Sequence, residues 1–256
     1  MPLTNEELEQ LEKDYFDQIY FYLRFNQQRM LWGLESKNNI RDDWWDKFTN
    51  SEKQISEFAR GTERIFYWLL TTLWMPNSSP ISSDLFFESC NAFIHIDIKT
   101  AKTDHQSDYK GKVALSKNQT SYDADKTQTG TPTQINPSLP QYYDKGGENE
   151  KPCLTYIIQL IHKPITFDIT AILLISVPNG QLYSVYKNDI VGAGKGKGVS
   201  MRYEYKNNFT FNTLSGTPHR VEFIYFNPNY GLSTYDITTC QEITYEEPQN
   251  NSIKIT

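Results

Sequence analysis

Leu8, Leu11, Tyr15, Ile19, Tyr22 and Leu23 recur at steps of three and four, the period of one face of an α-helix. Thr4-Asn5-Glu6-Glu7 stands just ahead of them, a hydroxyl with a carboxylate three residues later, which is the capping-box pattern for a helix start. A polar break around 36–39 separates this run from a second helical stretch over about 51–74. That stretch puts Ile55, Phe58, Ile65, Trp68 and Leu69 on an apolar side, with Glu57 and Glu63 outside it or at its edge. Pro76-Asn77-Ser78-Ser79-Pro80 stops it, because proline cannot continue a helix. Beyond Pro80 the pattern turns to strands. Segments 85–87 and 92–96 read as a hairpin with its turn at Cys90-Asn91. Segments 154–161 and 169–177 follow, and the second of these, ITAILLISV, is apolar throughout, as expected for a central strand covered on both faces. Pro178-Asn179-Gly180 predicts a turn, and 182–186, 201–205, 209–211 and 221–226 predict further strands. The long polar stretch 102–150 predicts short helical or extended pieces that order on a partner, since a structureless loop of that length is rare inside a domain. The tail beyond Pro248 is polar and predicted to fray. No internal repeat is present. The pattern predicts one domain over 1–256, helical over 1–75, with a β-rich core over 80–256, of α/β class.

Composition narrows the function. Lys and Arg number 25 against 31 Asp and Glu, a net charge of −6, which argues against coating nucleic acid by bulk charge but leaves room for a local basic cleft. Aromatic residues make up 14% of the chain, far from a disordered composition. No apolar run reaches the length of a membrane span, and the start, MPLTNEELEQ, is too acidic and polar for a secretory signal. Cys90, Cys153 and Cys240 are odd in number and widely spaced, so neither a disulfide framework nor a CxxC zinc site is expected; three thiols in a reducing, cytoplasmic setting are. His95, His105, His162 and His219 show no metal-binding spacing.

The chemistry concentrates in one hairpin. Asp97 and Lys99 stand two apart at the end of an apolar strand and so share a face. An acid and a lysine there are costly unless paired or used. A turn at Cys90-Asn91 returns the chain so that Asp84, six residues before Cys90, meets Asp97, six after Asn91. Two carboxylates and an ammonium at one point can hold a hard cation such as Mg²⁺, polarise a phosphodiester and orient an attacking water. The backbone carbonyl of Ile98 offers a further metal ligand. The bland alternative is an Asp97–Lys99 surface salt bridge, with Asp84 a turn acid.

Asp84 … Asp97-Ile98-Lys99 resembles the motif of the PD-(D/E)xK nucleases, with Ser83 where the proline of that motif stands. Asp97-Ile98-Lys99-Thr100, Ser107-Asp108-Tyr109, Lys117-Asn118-Gln119, His162-Lys163-Pro164-Ile165 and Ser176-Val177-Pro178-Asn179-Gly180 resemble, in the same order, segments of the BglI-like type II restriction endonucleases. Glu57-Phe58-Ala59-Arg60-Gly61 resembles the helix ahead of their active site. The resemblance spans about 55–225. It implies a mixed-sheet restriction-endonuclease fold with N-terminal helices and a β-rich C-terminal DNA-reading region. It also implies a Mg²⁺-dependent homodimer that cuts double-stranded DNA at a specific site, with a cognate methyltransferase protecting the host. Asp84, Asp97 and Lys99 would then be catalytic. Glu57 would be an auxiliary acid, with a solvated helix face as the plain reading. Strand parity places Glu88 on the face of Asp84, as a second auxiliary.

DNA contacts are expected around Lys206-Asn207-Asn208 and at Arg220, whose guanidinium suits guanine; the competing reading of Arg220 is a surface ion pair with Glu222. Lys195 and Lys197 lie in a glycine-rich loop, 192–198, that fails the phosphate-loop pattern but suits a basic loop on a DNA backbone or a plain hairpin loop. Lys117 and Asn118 in the long polar stretch are further backbone-contact candidates. Two rival functions remain: a repair or structure-specific nuclease with the same core, and a non-enzymatic module that binds polysaccharide or single-stranded nucleic acid through its aromatic residues.

Overall fold

The computed structural model of the chain describes residues 3–36, 57–77, 83–128, 131–144, 146–164, 166–194, 200–206, 210–227 and 229. Helix α1 covers Asn5–Phe25 and starts as its sequence directs: the Thr4 hydroxyl accepts from Glu7 N, and the Glu7 carboxylate accepts from Thr4 N at 2.8 Å. Asn26 interrupts the helix, and α2 follows at Gln27–Glu35, a break the apolar periodicity does not reveal. Helix α3 covers Glu57–Leu70.

The main sheet is built from β1 (Met75–Pro76), β2 (Leu85–Glu88), β3 (Phe93–Lys102), β8 (Lys151–His162), β9 (Ile169–Val177) and β12 (Val221–Phe226), in that spatial order. β3 and β8 run parallel and the other neighbours antiparallel, so the sheet is mixed. Every residue of β9 is buried, matching its uninterrupted apolar sequence. β7 (Tyr142–Tyr143) pairs with the start of β8. The polar stretch carries β4 (Val113–Ser116), a tight turn over Lys117–Gln119, and the hairpin of β5 (Ala124–Gln128) and β6 (Thr131–Ile135). β4 joins β10 (Val191–Ala193) and β11 (Ser200–Tyr203) in a smaller sheet. The polar stretch is therefore held in strands and turns of the chain itself.

α1 lies against the sheet, where Tyr156 of β8 donates to Glu12 O and Arg24 donates to Ile224 O of β12. The segment 104–119 covers the opposite face, which carries Asp97, Lys99 and Gln159; Gln159 donates from Nε2 to Asp108 O, and Gln119 donates to Asp97.

Among the described residues, two expected strands are absent. Segment 182–186 coils instead: Asn179 caps a short turn over Gly180–Leu182, which runs into the single helical turn Tyr183–Tyr186. The Asn179 side chain accepts from Gln181 N, so cap chemistry overrides the alternation of the sequence. Around 209–211 the described chain makes only an isolated bridge, Thr210 to His219.

Candidate active site

The hairpin forms as its sequence predicts. Ser89 N donates to Ala92 O across the turn, and β2 and β3 pair Leu85 with Ile96 and Phe86 with His95. Extending that register sets Asp84 opposite Asp97. Asp84 Oδ2 accepts from Ile98 N at 2.7 Å, so the first acid is tied to the backbone between the second acid and the lysine. Asp97 is 3% exposed, and its Oδ2 meets the ammonium of Lys99. The pair is thus partly desolvated and lies below the surface.

Burial pushes the Asp97 carboxyl up to about 7; Lys99 opposes that rise, whereas Asp84 adds to it through its charge and its hydrogen bond. Two carboxylates within mutual influence repel when both are ionised, and that favours a cation between them. Among the described residues, no group of three or more His, Cys, Asp and Glu side chains converges as a closed metal cage. Two carboxylates with open positions suit Mg²⁺, which keeps waters and substrate phosphate oxygens in its shell.

Two participants went unassigned at the sequence level. Gln119 ends the turn after β4. Its Nε2 donates to Asp97 Oδ1 at 2.7 Å, while its Oε1 accepts from Lys99 Nζ at 3.1 Å and Ser116 N at 2.8 Å. The capping-box spacing Ser116-Lys117-Asn118-Gln119 was a readable signal for the turn, though not for what the amide touches. Glu63 of α3 is the second. Burial raises its carboxyl above the ordinary value, the charge of Asp84 adds to the rise, and Arg60 and Lys99 oppose it. Among the described side chains of α3, Glu63 is thus an acid electrically coupled to the site, although the apolar periodicity places it outside the buried side or at its edge. For Glu57, the described structure gives the backbone at the helix start and no side chain.

Glu88 requires correction. It shares the face of Asp84, but four residues at about 3.3 Å each carry it about 13 Å along the strand. There it pairs with Lys151 at 2.8 Å, at the turn end of the hairpin.

Two family models match this chain: the N-terminal domain of type II restriction enzyme MwoI over residues 4–165, and the MwoI central domain over 169–226. The chain belongs to the MwoI family of type II restriction enzymes. It is a site-specific deoxyribonuclease. Membership in the MwoI family decides against the non-enzymatic binding module that the aromatic content suggested. The residues matched by the central-domain model supply β9 and β12 to the same sheet that carries the β2–β3 hairpin. No curated protein sequence matches. Among solved structures, the chain resembles the tetrameric restriction endonuclease SfiI bound to cognate DNA (TM-score 0.62, 15% identity, 89% of this chain and 87% of that one). It also resembles the restriction endonuclease BglI bound to its DNA recognition sequence (TM-score 0.51, 15% identity, 86% of this chain and 98% of that one). Those likenesses agree with the mixed α/β fold of the MwoI-family chain.

The second correction concerns Arg220. It is wholly buried, and its Nη2 reaches Glu9 Oε1 at 2.8 Å and Glu12 Oε2 at 2.7 Å. It donates to Ser176 Oγ and Tyr186 OH and lies 4.0 Å over the Phe211 ring. A guanidinium enclosed this way cannot present itself to a base edge; it ties α1 to the C-terminal half. Its expected alternative partner Glu222 lies instead 3.9 Å from His219. Among the other candidates, Lys117 and Lys206 are exposed and Asn118 is half-buried. Lys195, Lys197, Asn207 and Asn208 lie outside the described residues.

Proposed function

We propose that this enzyme hydrolyses both strands of double-stranded DNA in a Mg²⁺-dependent reaction centred on Asp84, Asp97 and Lys99. The observation that carries the reading is the bond from Ile98 N to Asp84, which brings both acids and the lysine to one point. Asp84, Asp97 and the Ile98 carbonyl would hold the cation, whose chemistry is that of a Lewis acid on the scissile phosphate. Lys99 holds the attacking water and offsets charge that develops on the phosphoryl oxygens. The water oxygen bonds to phosphorus, the P–O3′ bond breaks, and the products are a 5′-phosphate and a 3′-hydroxyl. Asp97 must be ionised in this arrangement, and the Gln119 amide and the Lys99 ammonium both favour that form. Glu63, on the helix facing the pair, tunes the same field.

The working unit in this reading is a homodimer, whose two-fold symmetry suits a palindromic or interrupted target. Lys117, Asn118 and Lys206 contact the DNA backbone, and a cognate methyltransferase protects host DNA. SfiI and BglI, both described as DNA-bound and the former as tetrameric, support DNA binding and assembly.

The test is incubation of the purified protein with long unmethylated DNA in Mg²⁺ and, separately, in Ca²⁺, followed by sequencing of the fragment ends. Discrete 5′-phosphorylated ends in Mg²⁺ alone are expected, and they reveal the target site. Ends scattered along the DNA would favour a structure-specific nuclease.

A further inference from the structure

We propose that Gln119 is a positioning residue, which sets the Asp97–Lys99 pair and links it to the Lys117–Asn118 turn; this rests on the nuclease reading above. One side-chain amide makes three bonds: Nε2 to Asp97 Oδ1, and Oε1 from both Lys99 Nζ and Ser116 N. The two donors on Oε1 fix the orientation of the amide, because an amide nitrogen cannot accept them. Nε2 is then the end that faces the carboxylate. The amide therefore holds one oxygen of Asp97 while Lys99 meets the other.

The turn that bears Gln119 is itself anchored. Ser138 N donates to Lys117 O at 2.7 Å, and Gln119 accepts from the N–H of Ser116, the last of the β4 residues paired with β11. The exposed Lys117 side chain and the half-buried Asn118 sit on the same turn. Groups that orient ligand side chains from behind are commonly worth about 10- to 100-fold in metal affinity or rate.

The test compares Gln119→Met and Gln119→Glu with the wild type. The first removes all three polar bonds at similar length. The second keeps an acceptor for Ser116 N, so the turn persists, but cannot donate to Asp97 when ionised. Both variants are expected to lower single-turnover cleavage at saturating DNA by about 10- to 100-fold, while the DNA dissociation constant in Ca²⁺ stays within about threefold. Ca²⁺ binding to the DNA-free protein, read by calorimetry, is expected to weaken about tenfold in Gln119→Met, which frees Asp97 without adding a charge beside it. An unchanged rate, an unchanged Ca²⁺ affinity in Gln119→Met, or a rate loss matched by equal loss of DNA binding would each overturn the assignment. A wild-type chain that cleaves no DNA would count against the nuclease reading alone; the Ca²⁺ comparison would still decide the role of Gln119.

Discussion

Replacing Arg220 with Met removes a cation and leaves its partners in place. Glu9 and Glu12 are 0% and 1% exposed, and both lose their ion pair. Each keeps other donors: Thr213 N reaches Glu9 Oε2 at 2.7 Å, and Asn179 N reaches Glu12 Oε1 at 2.7 Å. The backbone around the network is thus held while two carboxylates lose their counter-ion. Breaking a buried pair from one side costs about 3–5 kcal/mol, because an uncompensated charge stays inside. For a chain of this size that corresponds to a fall in Tm of about 6–20 °C, at roughly 2–4 °C per kcal/mol.

The two carboxyls also predict a pH signature. In the wild type, Arg220 and the neighbouring donors outweigh burial at Glu9 and hold its carboxyl below the ordinary value, whereas the deeper burial of Glu12 wins and raises its carboxyl. Without Arg220, both must stay protonated or destabilise the fold. The deficit of the variant should therefore shrink as pH falls from 7 toward 4.5, the ordinary glutamate value. Urea unfolding at several pH values measures this, and adding Glu9→Gln and Glu12→Gln should recover part of the loss. An Arg220→Met protein within about 1 kcal/mol of wild type, or one of normal stability with altered sequence preference, would refute the reasoning.

Other outcomes follow from the same geometry. Asp97→Ala should abolish cleavage while leaving DNA binding in Ca²⁺ within a few-fold, as checked by gel shift beside a cleavage assay; a variant that cuts at the wild-type rate would sink the site. Asp97 keeps its proton in the native protein up to about 7, whereas the unfolded chain releases it near 3.8. In that window the native state binds more protons, so metal-free stability falls as pH rises and levels off above about 7. Asp97→Asn should remove this slope in pH-dependent denaturation. Cleavage, which needs the carboxylate, should also decline as pH falls, with the bound cation moving that decline below the metal-free window. Thr4→Ala removes the N-cap of α1 and should cost about 1 kcal/mol in urea unfolding without changing the cleavage pattern.

Elements whose signals are local were legible in the residue order. The Thr4–Glu7 box fixed the start of α1, the apolar run of 169–177 fixed a covered strand, and the hairpin through Asp84, Asp97 and Lys99 followed from a turn between two short apolar runs. These are near-neighbour effects, so the residue order contains their cause. Tertiary structure decided what depended on distant partners. Gln119 reaches Asp97 across 22 positions, and Arg220 meets Glu9 across 211. Glu9 and Glu12 sit on the apolar side of α1, yet nothing nearby in the chain names the cation that neutralises them. An arginine read from the sequence alone passes for a surface group until the fold encloses it. A charge of that kind is read correctly only once its counter-ion is known, and here the sheet and α1 bring the counter-ions from the far end of the chain.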